Sequence, residues 1–241
     1  MQRYYIGTSG WNYDHWKGVF YEDGCPKSRW LEWYGRHFQT VEVNATFYRS
    51  MKPQTFENWY RNTPDGFLWS VKANRFITHI KRLKDAEEPL GRFLESVTPL
   101  REKLGPILFQ LPPSLVFNQM IAETFFRHLL PARRYTLEAR HESWLEPEAL
   151  KCLEQYGIAW CISDTAGRYP YREAVTADFV YIRLHGSQKL YASRYSDKEL
   201  KAWADRITSW NLDTYVYFDN DFKGYAPQNA LELIRLLKYS D

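Results

Sequence analysis

Residues 135–163 read YTLEARHESWLEPEALKCLEQYGIAWCIS, and this stretch decides the fold. Tyr135 to Glu138 is a short β-rich run, Pro147 to Tyr156 is a helical segment closed by Gly157, and Ile158 to Ser163 is a second β-rich run. Proline is tolerated in the first turn of a helix and glycine is favoured just past the last one, so the punctuation agrees with the pattern. A strand, a helix and a second strand in that order make a parallel crossover unit.

The same alternation extends to both ends of the chain. Upstream, strands are expected at Tyr4 to Gly7, Thr40 to Asn44, Phe67 to Ala73 and Pro106 to Gln110, with helices at Ser28 to Arg36, Pro53 to Tyr60, Pro89 to Lys103 and Asn118 to Leu130. Downstream, strands at Phe179 to Leu184 and Thr214 to Phe218 are followed by helices at Asp197 to Trp210 and Pro227 to Leu237. Eight strand–helix units in 241 residues, with no composition shift or long linker, predict an α/β fold: one closed, parallel (β/α)8 TIM-barrel-like domain over residues 1–241 with outer helices.

Composition excludes several other classes. The chain is 44% hydrophobic, 25% charged and 17% aromatic, which is neither disordered, collagen-like nor a disulfide mini-protein. Cys25, Cys152 and Cys161 form no C-x-x-C pair, and the odd number speaks against a disulfide framework. No apolar run reaches the roughly 18 residues needed to span a bilayer, and no leader opens the chain, so a soluble cytoplasmic protein without a membrane partner is expected. A net charge of +3 is weak for this size, so a polyanion would have to be held by a local patch.

A barrel also says where to look, because its active sites stand at the C-terminal ends of the strands. Side chains two apart on a strand share a face. Glu42, Asn44 and Thr46 therefore oppose Val41 and Val43, while Ser70, Lys72 and Asn74 oppose Trp69, Val71 and Ala73. Glu138 and Arg140 oppose Leu137 and Ala139, and Tyr181, Arg183 and His185 oppose Val180, Ile182 and Leu184. Outer helices claim the aliphatic faces, so the polar faces point into the barrel. Burying so many charges is costly unless they pair with one another or with a ligand. One reading is an internal salt-bridge network; the other is a polar site for a small anionic or sugar-like ligand.

On the second reading Lys72, Arg140 and Arg183 clamp the anion, since guanidinium forks and ammonium charges suit phosphate or carboxylate oxygens. Glu138 or Asp164 takes a proton and His185 returns it. Glu42, Asn44, Gln110 and Asn220 orient hydroxyls, and Trp11 offers a stacking face. No H-E-x-x-H or H-x-H pair, phosphate loop, dinucleotide fingerprint or G-x-S-x-G elbow occurs, so neither metal nor cofactor is expected. The run Lys72, Arg75, His79, Lys81, Arg82 and Lys84 has no acid before Asp85. It is either a solvated loop or a rim patch, and Arg75, Lys81, Arg82 and Lys84 could then meet nucleic-acid phosphates.

At these same residues the sequence resembles the YecE-like family, a domain of unknown function. The resemblance rests on Ile6-Gly7-Thr8-Ser9-Gly10-Trp11, Val41-Glu42-Val43-Asn44 with Thr46-Phe47-Tyr48-Arg49, and Lys72 with Ile77-Thr78-His79. It continues through Leu108 to Ser114, Glu138 through His141 to Trp144, Tyr181 to Gly186, and Tyr217 to Asp221 with Ala226-Pro227. It covers essentially the whole chain and implies a TIM-barrel-like fold. Such barrels are similar to the sugar-isomerase and apurinic-endonuclease type, and a nucleic-acid role has been suggested on that ground. The expected function is an enzyme of hydrolase, isomerase or lyase type acting on a phosphate-bearing or sugar-like ligand. The alternative is a nucleic-acid-binding barrel without catalysis.

Overall fold

The computed structural model of the chain describes residues 2–238. Eight strands are laid down in sequence: β1 (Tyr4–Thr8), β2 (Thr40–Val43), β3 (Leu68–Lys72), β4 (Leu104–Gln110), β5 (Tyr135–Glu138), β6 (Ile158–Asp164), β7 (Phe179–Leu184) and β8 (Asp213–Phe218). Neighbours pair in parallel in the order β1-β8-β7-β6-β5-β4-β3-β2. A bridge between Ser9 and Glu42 brings the two ends of this sheet together, so the cylinder is nearly closed.

Glycine is needed at that seam. A Cβ on Gly7 would lie 2.2 Å from the Thr40 carbonyl oxygen, so any side chain there pushes β1 off β2. Gly7→Ala is expected to cost about 1–3 kcal/mol, as other insertions into packed interiors do, and to lower Tm by roughly 2–12 °C for a chain of this size. Thermal unfolding with hydrogen exchange at Ser9 checks both the magnitude and the place.

The helices are α1 (Trp30–His37), α2 (Ala45–Tyr48), α3 (Pro53–Arg61), α4 (Glu87–Val97), α5 (Gln119–Phe126), α6 (Pro147–Gln155), α7 (Asp197–Trp210) and α8 (Tyr225–Lys238). Helix α7 starts where the sequence predicts because Ser196 and Glu199 form a reciprocal capping box. Three expectations are corrected. The link from β6 to β7 holds no helix, so among the described residues seven strands, not eight, are followed by one. The helix expected to run to Lys103 ends at Val97; a 3-10 turn containing Pro99 follows, broken by Arg101 at φ +50°. Part of the basic stretch read as loop is a π-helical turn, Phe76–Ile80.

The two faces of each strand sort as their alternation predicts. Val41, Val43, Val71, Leu137, Ile182 and Val216 join the large core between barrel and helices. Tyr5, Leu108, Ala159, Cys161, Phe179, Tyr181, Tyr215 and Tyr217 form a second cluster inside the barrel. Tyr5 stacks on Tyr215 with centroids 4.8 Å apart, and Arg134 closes the floor by donating to Asp213 and to the Tyr215 hydroxyl, each at 2.9 Å. Above them Tyr217 shares a 2.7 Å hydrogen bond with Thr40, and Tyr181 one of 2.6 Å with Ser70. This aromatic plug fills the lower barrel and leaves only the upper end for chemistry. Among the described residues no helix is long and apolar enough to cross a membrane.

Candidate functional site

Directly above the plug, Arg183 on β7 spans the barrel between two carboxylates. Its Nε and Nη2 donate to Glu42 at 2.9 and 2.8 Å, and its Nη1 donates to Glu138 at 2.5 Å. Glu42 also accepts from Ser9 Oγ and Tyr181 Oη at 2.7 Å each and from Asn44 Nδ2 at 3.1 Å. All three ionic side chains are essentially out of solvent. Such burial is tolerable because every oxygen of the two carboxylates and every nitrogen of the guanidinium finds a partner. The convergence expected of β2, β5 and β7 is therefore present, and it follows from side-chain parity alone.

Arg183 differs from its expected role. Its guanidinium is occupied by Glu42 and Glu138, with Asp219 Oδ2 3.4 Å from Nη2, so it is a keystone of the network and not an open clamp. Glu138 is held in the same way, since its second oxygen accepts from Arg140 Nε at 3.0 Å. Burial alone would push the Glu138 carboxyl up, but Arg183 and Arg140 outweigh it and keep it well below the usual carboxylate range. A carboxylate held by two guanidiniums is a weak base, so the sequence's first choice for proton abstraction is poorly suited to that task.

Lys72 on β3 is the exception to this balance. It is buried, yet its ammonium donates to the Gln110 carboxamide and lies 4.2 Å from the Phe47 ring centroid, with no carboxylate within 4 Å among the described residues. Burial, and then Arg183, lower its pKa to about 8. His79, on the π-helical turn, packs edge-to-face with the same Phe47 ring, centroids 5.0 Å apart. Burial and the charges of Lys72, Arg140, Arg75 and Arg82 lower the His79 pKa to about 4. Of those four cations only Arg140 has a carboxylate within 4 Å among the described residues; Arg82 is tied to the Ser114 hydroxyl and carbonyl instead. The β3–β5 side of the mouth is thus a concentration of uncompensated positive charge, walled by Phe47 and by Tyr169, whose ring centroid is 4.3 Å from the Arg140 guanidinium.

The β7–β8 side is acidic. Asp219 Oδ2 lies 2.9 Å from His185 Nδ1, in range for an ion pair with a protonated imidazole though without hydrogen-bond geometry, and Tyr191 packs edge-to-face with that imidazole at 5.4 Å. Asp221 accepts from the Trp16 indole at 2.5 Å and pairs with His15 Nε2 at 2.9 Å. Burial raises its carboxyl to about 6, against the pull of Trp16 and His15.

Other expected site residues lie elsewhere. Asp164 has the outward parity of β6; Tyr195 Oη donates to one of its oxygens at 2.9 Å and the Ala166 amide to the other at 3.3 Å. It is not brought into the cluster. Trp11 is half-buried and packs at near right angles to Trp59 and Trp69 of the outer aromatic core. Asn220 is buried behind the mouth, donating to the Ser193 carbonyl and to Asn229. Gln110 and Asn44 do stand at the cluster, and Asn44 Oδ1 and the inward-facing Ser163 Oγ are buried without a hydrogen-bond partner among the described residues. On the rim, Arg75 and Lys84 are exposed and Lys81 and Arg82 half-buried. Ser9 and Phe47, present in the sequence only as members of the family motifs, and Tyr169, which nothing in the sequence singles out, complete the site. Tyr181 was legible, sharing Arg183's parity.

A cavity of about 630 Å³ lies beside the mouth and not over it, between α2, the π-helical turn and α4. Its walls include Tyr48, Arg49, Phe76 and Arg92.

With this geometry in place, comparison with known proteins is direct. UPF0759 protein YunF of Bacillus subtilis is 27% identical over 97% of this chain and 94% of its own length. UPF0759 protein YecE of Escherichia coli K12 is 28% identical over 88% of this chain and 84% of its own. A crystal structure of a DUF72 family protein from Thermotoga maritima superposes with a TM-score of 0.89 at 31% identity, covering 98% of this chain and all of that one. A DUF72 family protein from Enterococcus faecalis shares the fold at 20% identity, with a TM-score of 0.83 over 98% of this chain and 95% of that one. Residues 5–241 match the family described as "Protein of unknown function DUF72", and the chain belongs to that family.

Proposed function

We propose that the barrel mouth binds a small phosphate-bearing ligand on its β3–β5 side and carries out acid–base chemistry on it. The observation that carries this reading is the crowding of Lys72, Arg75, Arg82 and Arg140 around His79, three of the four lacking a carboxylate within 4 Å among the described residues. Like charges so gathered repel, and an oxyanion among them turns that cost into binding. Arg140 supplies guanidinium N–H groups beyond the Nε given to Glu138, and Lys72 supplies an ammonium that needs only to leave a neutral carboxamide. The unpartnered Asn44 Oδ1 and Ser163 Oγ would take ligand hydroxyls. Proton transfer falls to the opposite wall, where His185 and Asp219 form a pair and Asp221 stands near neutrality.

Sulfate, a dianion throughout the pH range used, gives the test. Without anion, His79 titrates at about 4, below its ordinary 6.5, so the unfolded chain takes up the proton first and His79 costs stability as pH falls from about 6.5 towards 4. Bound sulfate lifts the His79 pKa, and the sulfate-induced rise in Tm is expected to grow between pH 7 and pH 5. In His79→Gln the increment is expected to stay flat with pH. No sulfate-induced rise at either pH in the wild type would count against the reading.

A further inference from the structure

We propose that the cavity beside the mouth receives a planar aromatic group of the same ligand, so that the substrate class is an aromatic phosphate ester of nucleoside monophosphate type. This rests on the phosphate reading above and deepens it. At about 630 Å³ the cavity is of ordinary small-molecule size. Its base is apolar, with Phe56, Ile77 and Phe93 buried, whereas the rim leaves Tyr48 72% and Phe76 43% exposed. Large aromatics held open to solvent at the edge of a cavity offer stacking faces that packing alone does not require.

Its charge is one-sided. No acidic residue lines the cavity, while Arg49 and Arg92 do. Among the described residues Arg49 has no carboxylate within 4 Å, and Arg92 meets only the exposed Glu88 at 3.1 Å. Guanidinium planes lie well on a nucleobase and fork onto its phosphate.

The cavity is also joined to the cationic side of the mouth. Thr46, in its wall, donates to the Lys72 carbonyl at 2.6 Å, and Asn74 donates to the Thr46 carbonyl at 2.9 Å. Phe47 touches a residue of each space: the Lys72 ammonium lies 4.2 Å from its ring centroid, and Tyr48 of the cavity wall packs edge-to-face with it, centroids 5.0 Å apart. A phosphoryl group at Lys72 and a base against Tyr48 and Phe76 would be linked around Phe47 by a spacer such as a pentose.

The test is calorimetric titration of the full chain, at fixed ionic strength, with adenosine 5′-monophosphate, ribose 5-phosphate and adenosine. The nucleotide is expected to bind at least about tenfold more tightly than ribose 5-phosphate, in line with the worth of base–aromatic stacking. Phe76→Ala and Tyr48→Ala, at exposed positions, should each erase most of that advantage and leave ribose 5-phosphate binding unchanged. Equal affinities for the two phosphates, unmoved by Phe76→Ala, would overturn the inference while leaving the phosphate reading intact. Adenosine binding as well as the nucleotide, indifferent to Lys72→Gln, would overturn it by detaching the cavity from the mouth. Failure of both phosphates to bind would overturn the phosphate reading and the inference with it.

Discussion

Arg183→Met is expected to destabilise the protein by about 3–5 kcal/mol, the cost of removing one partner from a buried ionic network. The side chain is nearly volume-matched, so packing is largely kept and the loss is electrostatic. Glu42 and Glu138 would be left facing each other across the barrel, Glu42 with only neutral donors and Glu138 with Arg140 alone. Chemical denaturation of the variant at pH 7 and pH 4 checks this. Acid should narrow the gap, because protonating the orphaned carboxyls removes their repulsion, whereas the wild type keeps Glu138 ionised well into the acid range. A loss below about 1 kcal/mol, no more than an average point substitution costs, would deny Arg183 its keystone role.

Lys72→Met is expected to act with the opposite sign on stability and to weaken phosphate binding. Its ammonium is buried without a carboxylate partner and its pKa is lowered to about 8, so in the unliganded protein the charge is a burden. The lowered value also fixes the pH signature. Between about 8 and the ordinary 10.5 the unfolded chain holds a proton that the folded chain has lost, so wild-type stability gains from Lys72 as pH rises through that window. Lys72→Met should therefore be at least as stable as the wild type at pH 7 and should lack this gain. Affinity for inorganic phosphate should fall by roughly tenfold or more, since charge-assisted contacts are worth about 1.5–3 kcal/mol each. Thermal unfolding with and without phosphate reads both effects in one experiment. A variant that is less stable and still binds phosphate would contradict the assignment.

The architecture and the polar faces were legible because parity and barrel topology are local rules. Knowing that Val41 faces a helix forces Glu42 inward, and the same step fixes Lys72, Glu138 and Arg183. Partner choice was not legible. Nothing in the spacing of Glu42 and Arg183, 141 positions apart, says that Arg183 would spend its fork on two carboxylates while Lys72 meets only a carboxamide. Asp164 ends β6 in the sequence just as His185 follows β7, yet their side chains stand on opposite faces, since one has outward and the other inward parity. Trp11 follows a strand exit too, but its half-buried indole packs against Trp59 and Trp69. The π-helical turn escaped because Phe76 to Ile80 sits within a run of cations that reads as loop. That turn is what places His79 beside Phe47 and among the surrounding cations.

Crystals of the protein soaked with tungstate, a heavy phosphate mimic, put the central claim to its most direct trial. An anomalous peak is expected within hydrogen-bonding reach of Lys72 Nζ and an Arg140 guanidinium nitrogen, lost in crystals of Lys72→Met. Tungstate bound only at scattered surface cations, with Lys72 still on Gln110, would show that the buried charges merely hold the barrel together.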